Sequence, residues 1–483
     1  MTDEADAPTT QATARESEER LRPEARASYL TAEERAALGR EARATVRRAD
    51  LASYEPPAGR RDPVDILIEQ GAARQQDLLP IRYGRMSLSP FAFLRGSAAV
   101  MAGDLAASPV TGLRVQAVGD AHLANFGIFA TPERRLVFDV NDFDETLPAP
   151  WEWDVKRLAA SVVVAAEDVG AGRAVAAAAA RRVAQSYRTS MRGFADARTL
   201  DVWYAHVDMD EWIRTKGRQS RLAQNEKMLA RARTRTSLQV VGKLTEEVDG
   251  ELRFKNLAPL VTPLRDLFAG AEAERVRGML RRGFAGYRKS LAPERRLLLD
   301  RFRGVDIARK VVGVGSVGTR CLISLFVGRD RHDPLVLQLK EATTSVLEPY
   351  AGKSAYRHHG ARVVHGQRLV QVASDVFLGW CTLDHEDQHY YWRQLKDMKA
   401  SIEIEALDAR GFDRYVEACG WCLARAHARS GDPVAIAAYL GEGAGFDKAI
   451  AAFAAAYADQ TKADWEALKA AIADGHLQAV AGV

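Results

Sequence analysis

GVGSVG, Gly313 to Gly318, constrains this chain more than any other stretch. It matches G-x-G-x-x-G, and the residues after it decide what the pattern means. A dinucleotide-binding fold needs the third glycine to open a helix, so that a pyrophosphate meets the helix N-terminus. Here TRCLISLFVG follows, rich in β-branched and aromatic residues, and it predicts a strand.

A glycine turn between two strands is the kinase arrangement, in which small residues let backbone N–H groups approach nucleotide phosphates. Gly313, Gly315, Ser316 and Gly318 are the candidate phosphate cover. The next predicted strand, LVLQLKEA, carries Lys340 near its end. An apolar strand gives a phosphate-contacting lysine a rigid base and a desolvated approach. Lysine is also common at edge-strand ends, and the glycine loop one strand earlier tips the balance toward phosphate. The carboxylate expected to hold Lys340 is Glu348 or, on the opposite face of the strand, Glu341.

A second constellation lies far upstream. VQAVGDAHLANFG, Val115 to Gly127, runs from an apolar strand into Asp120, His122 and Asn125, and VFDVNDFDE, Val137 to Glu145, adds Asp139, Asp142 and Asp144. Phosphoryl transfer needs a carboxylate to orient the acceptor hydroxyl and oxygen ligands for Mg²⁺, which takes only one or two from the protein. Asp and Asn also make plain turn hydrogen bonds. Three further carboxylates beside Asp120 would gather negative charge that calls for a cation. His122 is expected as a satisfied core histidine or a catalytic helper; zinc is disfavoured, because no second His or Cys lies at ligand spacing.

With 483 residues the chain has room for two to four domains. Its 68 basic and 64 acidic residues are too balanced to argue nucleic-acid binding. Four cysteines are too few for a disulfide scaffold, and Cys419-Gly-Trp-Cys422 sits in an amphipathic run that predicts buried helix cysteines rather than a redox pair. The polar start MTDEADAPTTQATARESEER is not a secretory signal, and Leu158 to Ala180 carries Glu167, Asp168 and Arg173, too many charges for a membrane span. A cytoplasmic protein without membrane partners is expected. Thr31 and Glu34 form a capping box, and SPFAFLRGSAAVMAGDLA reads as one helix opened by Ser89-Pro90. Arg231, Arg233 and Arg235 fall in a charged helical region that reads chiefly as a solvated face. Composition turns β-rich near residue 305, with a hairpin turn at DHEDQ, and returns to helix from Phe412.

GDAHLANFG resembles the G-D-x-H-x-x-N catalytic loop of aminoglycoside phosphotransferases and related kinase-like enzymes. NDFDE resembles their metal-binding Asp-Phe element, and WDVKRLA, Trp153 to Ala159, resembles the helix start that follows. The chain as a whole resembles a bacterial family catalogued as domain of unknown function 2252, through RYGRMSLSPFAFLRG, GDAHLANFG, VFDVNDFDE, KVVGVGSVGTR, LVLQLKEA and YYWRQLKDMK. The kinase-like resemblance implies Asp120 as catalytic base, with Asn125 and Asp142 as metal ligands and Asp139 fitting the second place about as well. It implies ATP and Mg²⁺ as cofactors. The order of glycine loop and catalytic loop is reversed, so the expected fold is α+β, kinase-like, two-lobed and circularly permuted. A small antiparallel β-rich lobe is expected over 305–400 and a larger, mainly helical lobe over 26–304 and 401–483, after a disordered tail at 1–25. YYWRQLKDMK would lead into a hinge that meets adenine. The expected function is ATP- and Mg²⁺-dependent phosphotransfer to a small-molecule or protein hydroxyl. A non-catalytic nucleotide-binding module, AMP transfer to protein side chains and a metal-dependent phosphoesterase are the alternatives.

Overall fold

The computed structural model describes residues 30–216, 237–383, 388–395, 398–480 and 482, with Glu226, Leu229, Ala230 and Arg233 in between. The tail expected at 1–25, Arg231, Arg235 and most of the DHEDQ turn lie outside the described residues.

The chain opens with α1 (Ala32–Thr45), α2 (Pro63–Ala72), α3 (Leu79–Met86), α4 (Pro90–Gly96) and α5 (Ala98–Ala106). The capping box forms as read: Thr31 Oγ1 accepts the Glu34 N–H at 3.2 Å and Glu34 accepts the Thr31 N–H at 2.7 Å. The single helix expected over SPFAFLRGSAAVMAGDLA is two, α4 and α5, broken at Ser97. The break has a use. There the Leu94 carbonyl, which also accepts the Ser97 N–H at 3.2 Å, accepts Arg157, and the Gly96 carbonyl accepts Arg82, each at 3.0 Å.

Four short strands follow: β1 (Arg114–Ala117), β2 (Phe126–Ala130), β3 (Leu136–Val140) and β4 (Leu147–Pro150). Then come α6 (Trp151–Asp168) and α7 (Arg173–Asp196), which turn at Gly170. Helix α6 is buried around almost its whole circumference, as befits the central helix of a large core. Among the described residues no helix is long and apolar enough to cross a membrane.

After β5 (Val207–Asp208) come the hairpin β6 (Thr245–Val248) and β7 (Glu251–Phe254), β8 (Val261–Pro263), and α8 (Gly270–Ser290). Then follow β9 (Arg303–Lys310), β10 (Cys321–Val327), β11 (Pro334–Glu341), α9 (His359–Val370), β12 (Gly379–Thr382), β13 (His389–Gln394) and β14 (Ala400–Ser401). Helices α10 (Ala409–Ser430) and α11 (Gly445–Ala473) complete the chain.

The architecture is mixed α+β. Six antiparallel strands run in the order β12-β13-β11-β10-β9-β8. The sheet therefore begins with β8, well before the composition shift at 305, and α8 covers one of its faces through Tyr287 and Leu280, which pack with Leu337, Leu339 and Trp392. Helices α6, α7, α10 and α11 form a separate packed block with one large core. Gly420 lets α10 lie against α7, since a Cβ there would sit 2.5 Å from the Val183 carbonyl oxygen. Cys419 and Cys422 are free and buried in α10, and burial pushes both thiols well above the ordinary value.

The two regions meet through β14. It leaves the large sheet and pairs with β2, Ala400 opposite Ile128, in a second sheet of order β14-β2-β3-β5. The end of the 260–400 region is thereby stitched to the β2–β3 hairpin that carries the acidic loop.

Candidate functional site

A cavity of about 140 Å³ lies where these regions meet. Residues from three distant parts of the chain line it: Arg74 and Arg95 from the N-terminal helices, Asp120, His122, Asn125, Asp142, Asp144 and Glu145 from the β1–β4 region, and Gly313, Gly315, Ser316, Gln338, Lys340 and Arg393 from the large sheet and its loop.

Lys340 stands on β11 between β10 and β13, opposite Cys321 and Tyr391. Its neighbours Leu337 and Leu339 face α8, so strand alternation turns Gln338 and Lys340 to the cavity side. The ammonium is 1% exposed. It bonds Asp144 closely and lies 3.9 Å from Asp142. Burial alone would depress it; the Asp142 and Asp144 charges overcome that and hold it well above its ordinary value. Burial opposes ionisation of Asp142 as well, but Lys340 and Arg393 keep its carboxyl below the usual range. Asp144 also accepts the Tyr391 hydroxyl at 2.7 Å and the Ser316 hydroxyl at 3.3 Å.

The expected Lys340 partners are elsewhere. Glu348 lies 3.9 Å from His359, and Glu341 points to the other strand face, where it pairs with Arg320 at 2.8 Å. Asp144, nearly two hundred positions away, could not be found from local spacing.

The acidic loop is held by buried bonds. Asp154 on α6 accepts the Val118 and Gly119 N–H groups at 2.6 and 2.9 Å and faces His427 Nε2 at 3.1 Å. Gly119 has φ +82°, and a Cβ there would meet the Glu145 carbonyl at 2.4 Å, so only glycine fits. Arg157, also on α6, donates through Nε to Asp120 at 2.6 Å. Asn125 donates through Nδ2 to the Asp120 carbonyl at 2.8 Å, which leaves its amide oxygen for another partner. His122 is 4% exposed, with Nε2 3.8 Å from Asp120 and Nδ1 unbonded. Burial pushes it down to about 3, so it is a neutral imidazole at physiological pH.

Asp139 is not part of the cavity. Strand alternation along β3 turns it toward α10, where it pairs with the buried Arg425 and accepts the Val372 N–H at 2.8 Å. The chain leaves β3 after Val140, and Asp142, two residues on, lines the cavity. Among the described residues no group of three or more His, Cys, Asp or Glu side chains is arranged around a metal position.

In the glycine loop, Val314 to Ser316 form a single 3₁₀ turn. Gly313, Gly315 and Ser316 line the cavity. Gly318 does not: it takes φ +87°, packs on Arg74 and accepts the Gln75 N–H at 2.8 Å. Its role is the turn itself. The N-terminal helices hold the loop from outside, Arg74 donating to the Val317 carbonyl and Arg85 to the Val312 carbonyl, both at 2.6 Å.

Arg74 is a site residue outside every quoted motif, whereas Tyr391 and Arg393 lie inside YYWRQLKDMK and Glu145 ends VFDVNDFDE, where no role was read for them. Burial pushes Glu145 up to about 7, and burial lowers Arg74 and Arg95. Arg95 likewise lies inside RYGRMSLSPFAFLRG, a stretch quoted for the family resemblance without a role for this residue.

No curated protein and no solved structure gives a significant match to the chain. The model of the family described as uncharacterized protein conserved in bacteria, DUF2252, matches residues 74–471, and the chain belongs to that family.

Proposed function

We propose that this chain is an ATP- and Mg²⁺-dependent phosphotransferase with a kinase-like, two-lobed, circularly permuted fold, acting on a hydroxyl of a small molecule or protein. One observation carries the reading: a glycine loop and its strand lysine share a single cavity with Asp120, Asn125 and Asp142, although the two groups are about two hundred positions apart and in reverse order to the kinase chain. A metal phosphoesterase built on the acidic loop alone has no use for Gly313, Gly315 and Lys340 there.

The donor set fits the cofactors. Asp142 and the free amide oxygen of Asn125 are hard oxygen ligands of the kind Mg²⁺ takes one or two of, the rest coming from water and phosphate, so no larger carboxylate cluster is needed. Lys340, Arg74 and Arg95 would meet phosphate oxygens as point charges and planar forks respectively. Bound Mg²⁺ would neutralise charge between the phosphoryl groups. Asp120, held in one orientation by Arg157, would align the acceptor hydroxyl and accept its proton. His122, neutral, would pack behind Asp120.

The cavity is smaller than the roughly 300–1,000 Å³ of typical small-molecule sites. Nucleotide entry therefore requires Lys340 to exchange Asp144 for phosphate, and the loop at 311–318 to separate from Asp144 and the acidic segment. A non-catalytic nucleotide sensor draws support from the same feature, since the Lys340–Asp144 pair closes the cavity.

The test is mass spectrometry of the protein incubated with ATP, Mg²⁺ and candidate acceptors, with Asp120→Ala alongside. The proposal expects a gain of one phosphoryl group on an acceptor or on the chain, lost in Asp120→Ala while ATP still raises the melting temperature. Gain of an AMP moiety would support nucleotidyl transfer instead. ATP-dependent stabilisation without any transfer would support the sensor, and absence of ATP binding would reject all three.

A further inference from the structure

A second cavity lies on the opposite side of the large sheet and shares no residue with the first. Helix α8 crosses that face at two different heights. Its C-terminal half is pressed down: a Cβ on Gly283 would sit 2.0 Å from Leu383, and Tyr287 stacks on Trp392 with ring centres 4.8 Å apart. Its N-terminal half stands away from β9, β10 and the β6–β7 hairpin and encloses about 670 Å³, within the usual range for a ligand site.

The wall is apolar. Val276 and Leu280 of α8 face Phe326 and Trp392 of the sheet, each less than 10% exposed. Four arginines and Asp306 border it, and three of the arginines are ion-paired: Arg253 with Glu251 at 2.6 Å, Arg265 with Asp306 at 2.7 Å and Arg277 with Glu274. Two of these arginines are fixed in place. Arg265 bonds Asp306 at 2.7 Å and the Phe254 carbonyl at 2.6 Å, and Arg253 bonds the Val305 carbonyl at 2.6 Å. Arg281 is exposed and has no hydrogen-bond or ion-pair partner among the described residues.

An apolar wall with Arg281 unpaired among the described residues at its rim matches a ligand that is apolar along its length and anionic at one end. We propose that this cavity binds a free long-chain fatty acid, the acyl chain between α8 and β9–β10 and the carboxylate at Arg281. A nucleotide or sugar would leave its polar groups unpaired against Leu280 and Phe326. A cationic amphiphile would place its charge against Arg281.

The experiment uses the full-length chain and a fluorescent fatty acid, 11-(dansylamino)undecanoic acid, below its micelle concentration. Saturable enhancement of emission, reversed by dodecanoate but not by dodecyltrimethylammonium of the same chain length, is the expected result. Leu280→Trp, which fills the cavity, should abolish the enhancement. Arg281→Glu, at an exposed position that leaves the fold intact, should weaken binding by up to about fivefold, the scale of one exposed charge contact. Circular dichroism verifies that both variants are folded. No saturable enhancement, equal displacement by the two amphiphiles, or binding unchanged by Arg281→Glu would overturn the proposal.

Discussion

Lys340→Met is the perturbation whose outcome follows most directly from the geometry. The substitution keeps the unbranched stem on β11 and removes the charge that Asp142 and Asp144 share. At the 3.9 Å separation from Asp142, a unit pair is worth about 4 kcal/mol at an effective dielectric of about 20. Much of that attraction offsets the burial of Lys340, so the pair contributes less than this to net stability. Its removal nevertheless leaves two carboxylates without their ammonium, a change that costs about 3–5 kcal/mol when the site is buried. Both carboxylates are partly open to the cavity and Arg393 remains beside Asp142, which places the expected loss near about 3 kcal/mol at neutral pH.

The pH dependence is the sharper part. In the native chain Asp142 is held below the usual carboxylate range. Its stabilising contribution is therefore present above the unfolded pKa and lost as pH falls through the lower folded value. In Lys340→Met burial acts on Asp142 with its largest opposing charge removed, so the cost of its ionised form is present near neutrality and is relieved as it protonates on acidification. The stability gap between the two proteins should be widest at about pH 8 and shrink markedly by about pH 5. Urea unfolding followed by tryptophan fluorescence at several pH values measures it. A gap that stays constant over that range would show that the loss comes from packing and would refute the electrostatic account.

Three further substitutions test the framework around the cavity. Asp154→Ala strips the Val118 and Gly119 N–H groups of their acceptor, at about 1–3 kcal/mol for each; differential scanning calorimetry should show the loss, and ATP protection should fall with it. Gly119→Ala forces a side chain into the left-handed region and into the Glu145 carbonyl; expression of a folded protein with an unchanged melting temperature would contradict the close approach. Lys156 is buried with its ammonium over the Phe453 ring at 4.6 Å, and burial lowers it to about 8. Its charged form costs stability below about 8, and the cost fades as pH rises toward the ordinary lysine value, so Lys156→Met should gain about 1–3 kcal/mol near pH 7 and well under half of that near pH 10. Thermal melts at the two pH values decide it.

What the residues alone determined was local. The glycine loop between strands, Lys340 on an apolar strand, the turn that presents Asp120 and Asn125, the Thr31–Glu34 box and the helical nature of α6, α7 and α10 all follow from periodicity, β-branching and turn chemistry acting over a few residues. That the two constellations share one cavity follows from the motif resemblance, with no local signal behind it. Tertiary structure decided everything that depends on which faces meet. It gave Lys340 to Asp144 rather than Glu348, sent Asp139 to Arg425, split one expected helix so that two carbonyls could receive Arg82 and Arg157, and brought Arg74 and Arg95 to a cavity built two hundred residues downstream. The physical reason is range. Backbone preference is settled by neighbours along the chain, whereas a buried charge takes whichever opposite charge the packing of distant elements leaves closest, and no spacing rule encodes that choice.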